Sequence, residues 1–233
     1  MPSIFYYFNN TNYPILVTDK TRIITPHTFL PNNTLWENNS IYQFFSNIKN
    51  EEVNILDIGA QSGLYSLFSK FLPKTTFFSF EPFLETFNLL NDNLMLNNIK
   101  NVHTFNIGLS NIKETKILNT CLTHNGLHTL GQNLTRFNNN KKVSIEVDTI
   151  DNLFYDKNIP VHFIKIDTEG WELNILYGAE KTINKYRPII QIEWVLLNMK
   201  QCNIDENDLI LFFNIHNYFE KSHQDDEKLF CPI

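Results

Sequence analysis

The stretch 57–63, with the sequence DIGAQSG, combines an acidic side chain with two glycines at the end of a short apolar run. Glycines at such a junction let the backbone turn sharply and approach a ligand without a Cβ in the way. The helix that begins after the turn offers free N–H groups to the polar end of that ligand. We therefore predict that Asp57, Gly59, Ala60, Gln61 and Gly63 contact a bound cofactor. The structural alternative is close packing of a strand on a helix, which small residues also permit.

Glu81 follows the second predicted strand and is succeeded by Pro82. An acidic residue at that position can accept hydrogen bonds from both ribose hydroxyls of a nucleoside, as its counterpart does in dinucleotide sites. An isolated glutamate in a loop is otherwise simply solvated. Its place relative to the glycine turn favours the ribose contact. We include Pro82 and Asn106, which lies near the end of the third predicted strand, in the same cofactor site.

A third polar segment, 165–172 with the sequence KIDTEGWE, follows the fourth predicted strand. Side chains alternate along a strand, so Asp167 emerges at its carboxyl end. Asp167 and Glu169 are therefore expected near the reactive end of the cofactor. Glu193 closes the fifth predicted strand, and we expect it to converge with Asp167. In the structural alternative, Glu169 and Glu172 cap the start of the following helix and complement its dipole.

Alternating strands and helices must position these residues. The alternation is typical of a parallel sheet covered by helices, which binds ligands at the carboxyl ends of its strands. Predicted strands cover 53–58, 75–80, 102–107, 161–166 and 188–193, and predicted helices cover 35–48, 64–71, 84–96 and 171–183. The sequence thus predicts an α/β fold with a doubly wound, mostly parallel sheet.

Three segments fall outside the alternation. Residues 1–34 are predicted to form an N-terminal extension, a small hairpin or lid with β-prone runs at 4–8, 15–18 and 22–25, ahead of a domain over 35–233. The stretch 111–140 has no clear period and is predicted to be an irregular loop on the substrate side. The tail is predicted to form an antiparallel pair of strands, 209–218 and 228–231, joined by a polar, acidic turn.

Composition and charge exclude several classes of protein. The 233 residues, 42% of them hydrophobic, suffice for one α/β domain with additions. A formal net charge of -6 lacks the basic excess of a nucleic-acid-binding protein. Three distant cysteines predict neither a disulfide framework nor a zinc site. The sequence has no signal-peptide pattern and no membrane-spanning run, so we expect a cytoplasmic protein with no membrane partner.

The motifs together resemble the FkbM family of methyltransferases. The resemblance covers about 36–194 and is carried by 57–63, 80–82, 165–172 and the Arg187-Pro188 pair that precedes a strand ending at Glu193. It implies a Rossmann-like domain of the class I methyltransferase type, S-adenosylmethionine as cofactor, and O-methylation, often of a sugar or polyketide hydroxyl. Gln61 stands where the family usually has Asn. Glu37 resembles a glutamate that precedes the domain in relatives and is expected to reach the methionine end of the cofactor.

Methyl transfer to a hydroxyl needs a positioned nucleophile and a means of removing its proton. Two devices stay open: Asp167, Glu169 or His128 accepts the proton directly, or Asp167 and Glu193 hold Mg²⁺, which polarises the hydroxyl. We therefore expect an O-methyltransferase that acts on a carbohydrate or similar small-molecule or glycan hydroxyl, with no nucleic-acid partner. The alternatives are a nicotinamide-dependent oxidoreductase, disfavoured by the missing middle glycine of GxGxxG, and an inactive binding protein with the same fold.

Overall fold

A central β-sheet with helices on its two faces dominates the computed structural model, which describes residues 3–8, 11–18, 38–49, 51–121, 127–131 and 140–233. The strands are, in chain order, β1 (Ser3–Phe8), β2 (Thr11–Leu16), β3 (Asn54–Ile58), β4 (Thr76–Phe80), β5 (Val102–Phe105), β6 (Gly108–Leu109), β7 (Glu114–Cys121), β8 (Asn140–Asp148), β9 (Phe163–Ile166), β10 (Ile189–Glu193), β11 (Tyr218–Gln224) and β12 (Glu227–Pro232). The α-helices are α1 (Asn38–Phe45), α2 (Leu84–Leu96), α3 (Glu172–Tyr177), α4 (Glu180–Tyr186), α5 (Leu196–Gln201) and α6 (Glu206–Ile215). A 3-10 helix spans Ser66–Phe71, and a π-helical turn spans Asp151–Tyr155.

Seven strands form the central sheet in the order β11-β12-β10-β9-β3-β4-β5. Strands β10, β9, β3, β4 and β5 are parallel, whereas β12 pairs antiparallel with both β10 and β11. The chain moves outward from β3 through β4 and β5, then returns to β9 on the other side of β3. A crevice forms at such a reversal, beyond the carboxyl ends of the strands. The predicted doubly wound sheet with a C-terminal antiparallel pair is confirmed.

Apolar side chains are buried on both faces of this sheet. Leu56 and Ile164 belong to the core on one face, and Ile55 packs with Phe77 and Phe44 on the other. Because successive side chains of a strand point to opposite faces, double burial requires nearly continuous apolar runs. This requirement is why β3 and β9 could be found from the sequence.

The helices follow the predictions in part. The bounds of α2 are those predicted, and α1 lies within the predicted helix 35–48 but ends at Phe45. The predicted helix 64–71 is a 3-10 helix, and the predicted helix 171–183 is divided into α3 and α4. The division falls at Gly178, where an added Cβ would lie 2.0 Å from the backbone oxygen of Ser110. Only a glycine lets the chain pass that carbonyl so closely.

Two predictions of secondary structure are wrong. The stretch 111–140 is not wholly irregular, since it contains β7 and the start of β8, which belong to a second sheet of order β6-β8-β7. The tail segment 209–218 is mostly the helix α6, and the first strand of the C-terminal pair begins only at Tyr218. Asp205 caps this helix, because its side chain accepts a hydrogen bond from the backbone N–H of Asn207 at 2.9 Å.

The N-terminal segment contains an antiparallel hairpin of β1 and β2. The predicted run 4–8 lies within β1, the run 15–18 overlaps only the end of β2, and the run 22–25 lies outside the described residues. Leu16 exchanges backbone hydrogen bonds of 2.9 and 2.7 Å with the side chain of Asn97, just after α2. The hairpin is therefore attached to the sheet-and-helix core, and the domain boundary after residue 34 stays a prediction. In the described part of the chain, no helix has the length and apolar character needed to cross a membrane.

Candidate functional site

A cavity of about 450 Å³ opens at the carboxyl ends of β3, β4, β9 and β10. This volume lies in the range of small-molecule and cofactor sites. Residues of β6, β7 and β8 add an apolar wall on one side. The topological reversal between β3 and β9 thus coincides with the described cavity, as the sheet order requires.

Gly59 allows the ends of β3 and β9 to approach each other. Its φ is +76°, and an added Cβ would lie 1.8 Å from the backbone oxygen of Asp167. The amides of Gly59 and Ala60 donate to the carbonyl of Phe80 at 3.1 and 3.0 Å, and the amide of Gln61 donates to Glu81. These N–H groups therefore hold the turn in place, so a ligand would meet the Cα atom and the side chains rather than free amides.

The other glycine of the motif has a packing role. Gly63 has a φ of +95°, and an added Cβ would lie 2.6 Å from Cδ1 of Leu90 in α2. Gly63 does not line the cavity as far as the described residues form it, whereas Gly59, Ala60 and Gln61 do. The predicted cofactor contact at Gly63 is thus replaced by close packing against a helix.

Asp57 lies at the base of the cavity and is 1% exposed. Its Oδ2 accepts a hydrogen bond from the hydroxyl of Ser66, and its Oδ1 has no partner among the described residues. Burial raises the pKa of Asp57, and the ammonium of Lys165 on the neighbouring strand opposes this shift. Asp57 therefore presents a buried, partly unsatisfied carboxylate to a ligand.

Glu81 directly follows β4, the strand that pairs with the Asp57 strand β3, and is also buried. Its Oε2 accepts from the amide of Gln61 at 2.9 Å and its Oε1 from the amide of Phe83 at 2.8 Å. Burial raises the pKa of Glu81 to about 7, against the effect of these hydrogen bonds. Each oxygen keeps one lone pair, so the carboxylate can still accept two hydroxyl groups.

The two residues predicted beside Glu81 differ in position. Pro82 lines the cavity. Asn106 lies outside the cavity wall that the described residues form, and its amide donates to the backbone oxygens of Glu81 and Pro82 at 2.9 and 3.1 Å. Asn106 therefore holds the loop that carries Glu81. Glu37 lies outside the described residues.

The carboxylates of Asp167 and Glu193 converge as expected, and the carboxylate of Glu169 lies beside them. One carboxylate oxygen of each lies within 4.8 Å of those of the other two. The ammonium of Lys165, a residue only 3% exposed, lies 2.9 Å from Oδ2 of Asp167. The side-chain amide of Asn198 donates to Oε2 of Glu169 at 2.8 Å and to Oε1 of Glu193 at 3.1 Å. The result is an acidic cluster with an ammonium and an amide between its members.

Glu172 organises the loop that carries Asp167 and Glu169. Its Oε1 accepts hydrogen bonds from the amide of Thr168 at 3.0 Å, the hydroxyl of Thr168 at 2.9 Å and the amide of Gly170 at 3.1 Å. Glu169 takes a left-handed backbone conformation with a φ of +56°. A non-glycine residue with this φ is uncommon and clusters at functional sites. Glu172 therefore has a structural role in this loop, although α3 has no side-chain cap hydrogen bond, whereas Glu169 lines the cavity.

His128 lies in the cavity wall, with Nδ1 accepting a hydrogen bond from the amide of Cys121 at 3.2 Å. Burial lowers the pKa of His128 to about 4, so the ring is neutral at pH 7. Because Nδ1 accepts, the ring proton must be on Nε2. The structure therefore brings His128 to the site as a hydrogen-bond donor.

Lys165 and Asn198, the two residues that donate to the acidic cluster, were not predicted as site residues. Lys165 lies in the apolar strand β9, and a lysine in such a strand is a usable signal because an unpaired buried charge is strongly disfavoured. Asn198 lies in the short helix α5, with no motif around it that could have indicated its contacts.

Comparisons with known proteins identify a family and similar folds. The sequence model of the family described as "Methyltransferase FkbM domain" matches residues 57–222. Among solved structures, the methyltransferase FkbM from Methylobacillus flagellatus KT is similar with a TM-score of 0.54 and 19% identity, over 80% of this chain and 45% of that chain. The precorrin-6y C5,15-methyltransferase from Geobacter metallireducens GS-15 is similar with a TM-score of 0.51 and 12% identity, over 94% of this chain and 96% of that chain.

At identities of 19% and 12%, the two structures support the fold of this chain and nothing more. The chain spans less than half the length of the Methylobacillus protein. The comparison with curated proteins gives no significant match.

Proposed function

This chain belongs to the FkbM methyltransferase family, and from that premise we propose that it transfers the methyl group of S-adenosylmethionine to a hydroxyl of a carbohydrate or similar small molecule. The observation that carries the proposal is the pairing of the Gly59 turn with the buried carboxylate of Glu81 at the end of the next strand. This arrangement suits a nucleoside with two vicinal hydroxyls.

The residues present fit such a cofactor. Glu81 would hold the ribose through the lone pair left on each oxygen, and the unsatisfied Oδ1 of Asp57 offers an acceptor to a cationic group. Gly59, Ala60 and Gln61 would form the surface against which the cofactor lies. When bound, it supplies a methyl group activated as a sulfonium, so the protein has only to position the acceptor and remove its proton.

The charge of the cavity supports a neutral acceptor. Among the described residues that line it, six carry carboxyl groups and one carries an ammonium: Asp57, Glu81, Asp167, Glu169, Glu193 and Asp226 against Lys165. Carboxylates attract a sulfonium and repel phosphate. Hydroxyl groups donate well to carboxylates, and the opposite wall, with Leu118, Ile145 and Trp171, suits the C–H face of a sugar ring.

The proposal does not include Mg²⁺. Carboxylates are suitable ligands for a hard cation. Asp167, however, is bonded to the ammonium of Lys165, and Glu169 and Glu193 are bonded to the side-chain NH₂ group of Asn198. A divalent cation at the same oxygens would meet these donors at close range. Methyl transfer is therefore expected to survive EDTA without loss.

Isothermal titration calorimetry with S-adenosylmethionine tests the cofactor part of the proposal. We expect saturable binding by the wild-type protein and a large loss of affinity in Glu81→Ala, with little change in Glu85→Ala, which alters an exposed glutamate at the start of α2. Unchanged affinity in Glu81→Ala would contradict the assignment of Glu81. Binding of NAD⁺ in place of S-adenosylmethionine would instead indicate an oxidoreductase.

Methyl incorporation from labelled donor tests the acceptor part. The panel should contain neutral sugars and glycosides, amino sugars, nucleotide sugars and RNA. We expect product from hydroxyl acceptors without phosphate in the reacting portion. Methylation of RNA alone would overturn the acceptor assignment, and donor binding with no product from any acceptor would favour an inactive binding protein.

A further inference from the structure

Apart from Asp57 and Glu81, which are assigned to the cofactor, and the exposed Asp226, four side chains of the cavity wall have the chemistry to take a proton from an acceptor hydroxyl: Asp167, Glu169, Glu193 and His128. Their hydrogen bonds separate them. His128 is occupied at Nδ1 by the amide of Cys121, a donor whose direction is fixed by the backbone. Its Nε2 therefore carries the ring proton and cannot accept another while that bond persists.

Asp167 and Glu169 are occupied in other ways. Oδ2 of Asp167 lies 2.9 Å from the buried ammonium of Lys165. Oε2 of Glu169 accepts from Asn198 at 2.8 Å, and the backbone oxygen of Glu169 accepts from the hydroxyl of Thr129 at 2.7 Å. Both residues are thus held by donors that fix the loop after β9.

Glu193 is held by the longest of these carboxylate hydrogen bonds, and the donor is a neutral amide. Its Oε1 accepts one hydrogen bond of 3.1 Å from Asn198, and its Oε2 has no partner within the described ranges. Burial raises the pKa of Glu193 well above its ordinary value, and the carboxylates of Glu169 and Asp167 add to the shift. A buried glutamate with few hydrogen bonds holds a proton more strongly than a solvated one, which suits a base that operates near neutral pH.

We propose that Glu193 is the general base of the methyl transfer. The inference rests on the proposed function and names the residue that completes it. The acceptor oxygen forms a bond to the methyl carbon, and the bond from that carbon to sulfur breaks with its electron pair staying on sulfur. The hydroxyl proton passes to the carboxylate of Glu193. The cationic sulfur and the anionic carboxylate both become neutral, so charge and atoms balance.

The donor charge explains why the base lies in an acidic cluster. In the empty cavity, repulsion among Asp167, Glu169 and Glu193 favours a proton on Glu193. A cation in the same cavity favours loss of that proton. Glu193 would thus become a free carboxylate when the donor is present, and Asn198 holds it in place through Oε1.

The decisive variant is Glu193→Gln, which keeps the shape and the acceptor oxygen for Asn198 but cannot take a proton. The control is Glu220→Gln, at an exposed position on β11. We expect Glu193→Gln to lose about 10²- to 10⁴-fold in kcat, the usual contribution of a general base. Its affinity for the cationic S-adenosylmethionine should fall, because the donor favours the ionised carboxylate that the variant lacks, whereas its affinity for the neutral S-adenosylhomocysteine should stay within about threefold of wild type.

Infrared difference spectroscopy gives a readout independent of turnover. The empty wild-type protein should show protonated-carboxyl absorption that disappears as pH rises, and Glu193→Gln should lack the component that Glu193 contributes beside Glu81 and Asp57, whose pKa values burial also raises. Because the bound donor favours loss of the Glu193 proton, kcat at saturating donor should rise at a lower pH than the one at which this component disappears from the empty protein. Full activity in Glu193→Gln, or its carboxyl band unchanged from wild type, overturns the assignment of Glu193 and leaves the proposed function intact. If the wild-type protein binds no S-adenosylmethionine, the proposed function itself is contradicted.

Discussion

The pH dependence of nucleoside binding follows from the environment of Glu81. Both of its oxygens already accept a backbone amide, at 2.9 and 2.8 Å, so the two remaining lone pairs are the only places for ribose hydroxyls. Protonation occupies one of them and removes the charge from the other. The pKa of Glu81 is raised by burial to about 7, so this change falls in an accessible range of pH.

The expected magnitude can be worked from that value. If only the ionised form accepts the ribose, the dissociation constant increases about tenfold for each pH unit below about 7. Affinity should then be about 100-fold weaker at pH 5 than at pH 8. The assay is isothermal titration calorimetry with 5′-methylthioadenosine, which has the ribose but lacks the amino-acid end, whose α-amino group titrates near pH 8.

Glu81→Gln is the matched variant. It keeps one acceptor oxygen but loses the charge, and each charge-assisted hydrogen bond contributes roughly 1.5–3 kcal/mol. We expect binding at pH 8 to weaken by about 30- to 1000-fold and the pH dependence that Glu81 causes between pH 5 and pH 8 to be lost. Burial also raises the pKa of Asp57 and of Glu193, so any pH dependence of binding that these two residues cause would persist in the variant. Equal wild-type affinities at pH 5 and pH 8 would refute the ribose role of Glu81.

Further predictions concern stability and are measured by thermal or chemical denaturation. Gly59→Ala should lower the free energy of unfolding by about 3 kcal/mol or more, and Tm by roughly 6–12 °C, because the added Cβ would clash with the backbone oxygen of Asp167. A small loss would contradict the close approach of Gly59 to Asp167. Glu172→Ala should destabilise by about 2–4 kcal/mol, since three loop donors lose their acceptor, and Glu172→Gln should lose less; equal losses would contradict this role. Because the pKa of Glu81 is raised in the folded state, Glu81 should lower the free energy of unfolding without ligand by about 3 kcal/mol as pH rises from about 4.5 to about 7. The total fall over this range should therefore be about 3 kcal/mol smaller in Glu81→Gln than in the wild type, since Asp57 and Glu193 contribute to it in both proteins.

The central strands could be predicted from the sequence, whereas elements at the edges of the fold could not. Strands β3, β4 and β9 are buried on both faces and are therefore mostly apolar, a pattern that can be recognised without tertiary information. Strand β7 has the mixed sequence ETKILNTC, with Ile117 exposed and Leu118 buried, so its burial depends on a partner sheet that the local sequence does not reveal.

The error at α6 has a different cause. Its buried residues Leu209, Phe212 and Phe213 recur at intervals of three and four, which is helical spacing, and Asp205 is a suitable N-cap. The signal was present, but the continuous run of apolar residues also fits a buried strand. Short apolar runs leave this ambiguity unless their flanks are used to resolve it.

For the site, the carboxyl ends of strands placed the acidic residues correctly. Asp57, Glu81, Asp167 and Glu193 follow or end parallel strands, and all line the same cavity. The hydrogen bonds could not be predicted, because they depend on side chains from distant segments, such as Asn198, and on backbone amides that donate to Phe80 and Glu81. Those bonds decide which of the acidic residues is available for chemistry.

That availability has a measurable consequence before any methyl transfer takes place. S-adenosylmethionine carries a positive sulfur and S-adenosylhomocysteine a neutral one, and otherwise they differ by one methyl group. If the cavity holds a proton on Glu193 through burial and the neighbouring carboxylates, the cationic ligand should expel that proton and the neutral ligand should not. Calorimetric titration in buffers of different ionisation enthalpy should therefore give a larger proton release for S-adenosylmethionine than for S-adenosylhomocysteine, and Glu193→Gln should abolish the difference. Equal release for both ligands in the wild type would mean that the donor does not control the protonation of the cluster.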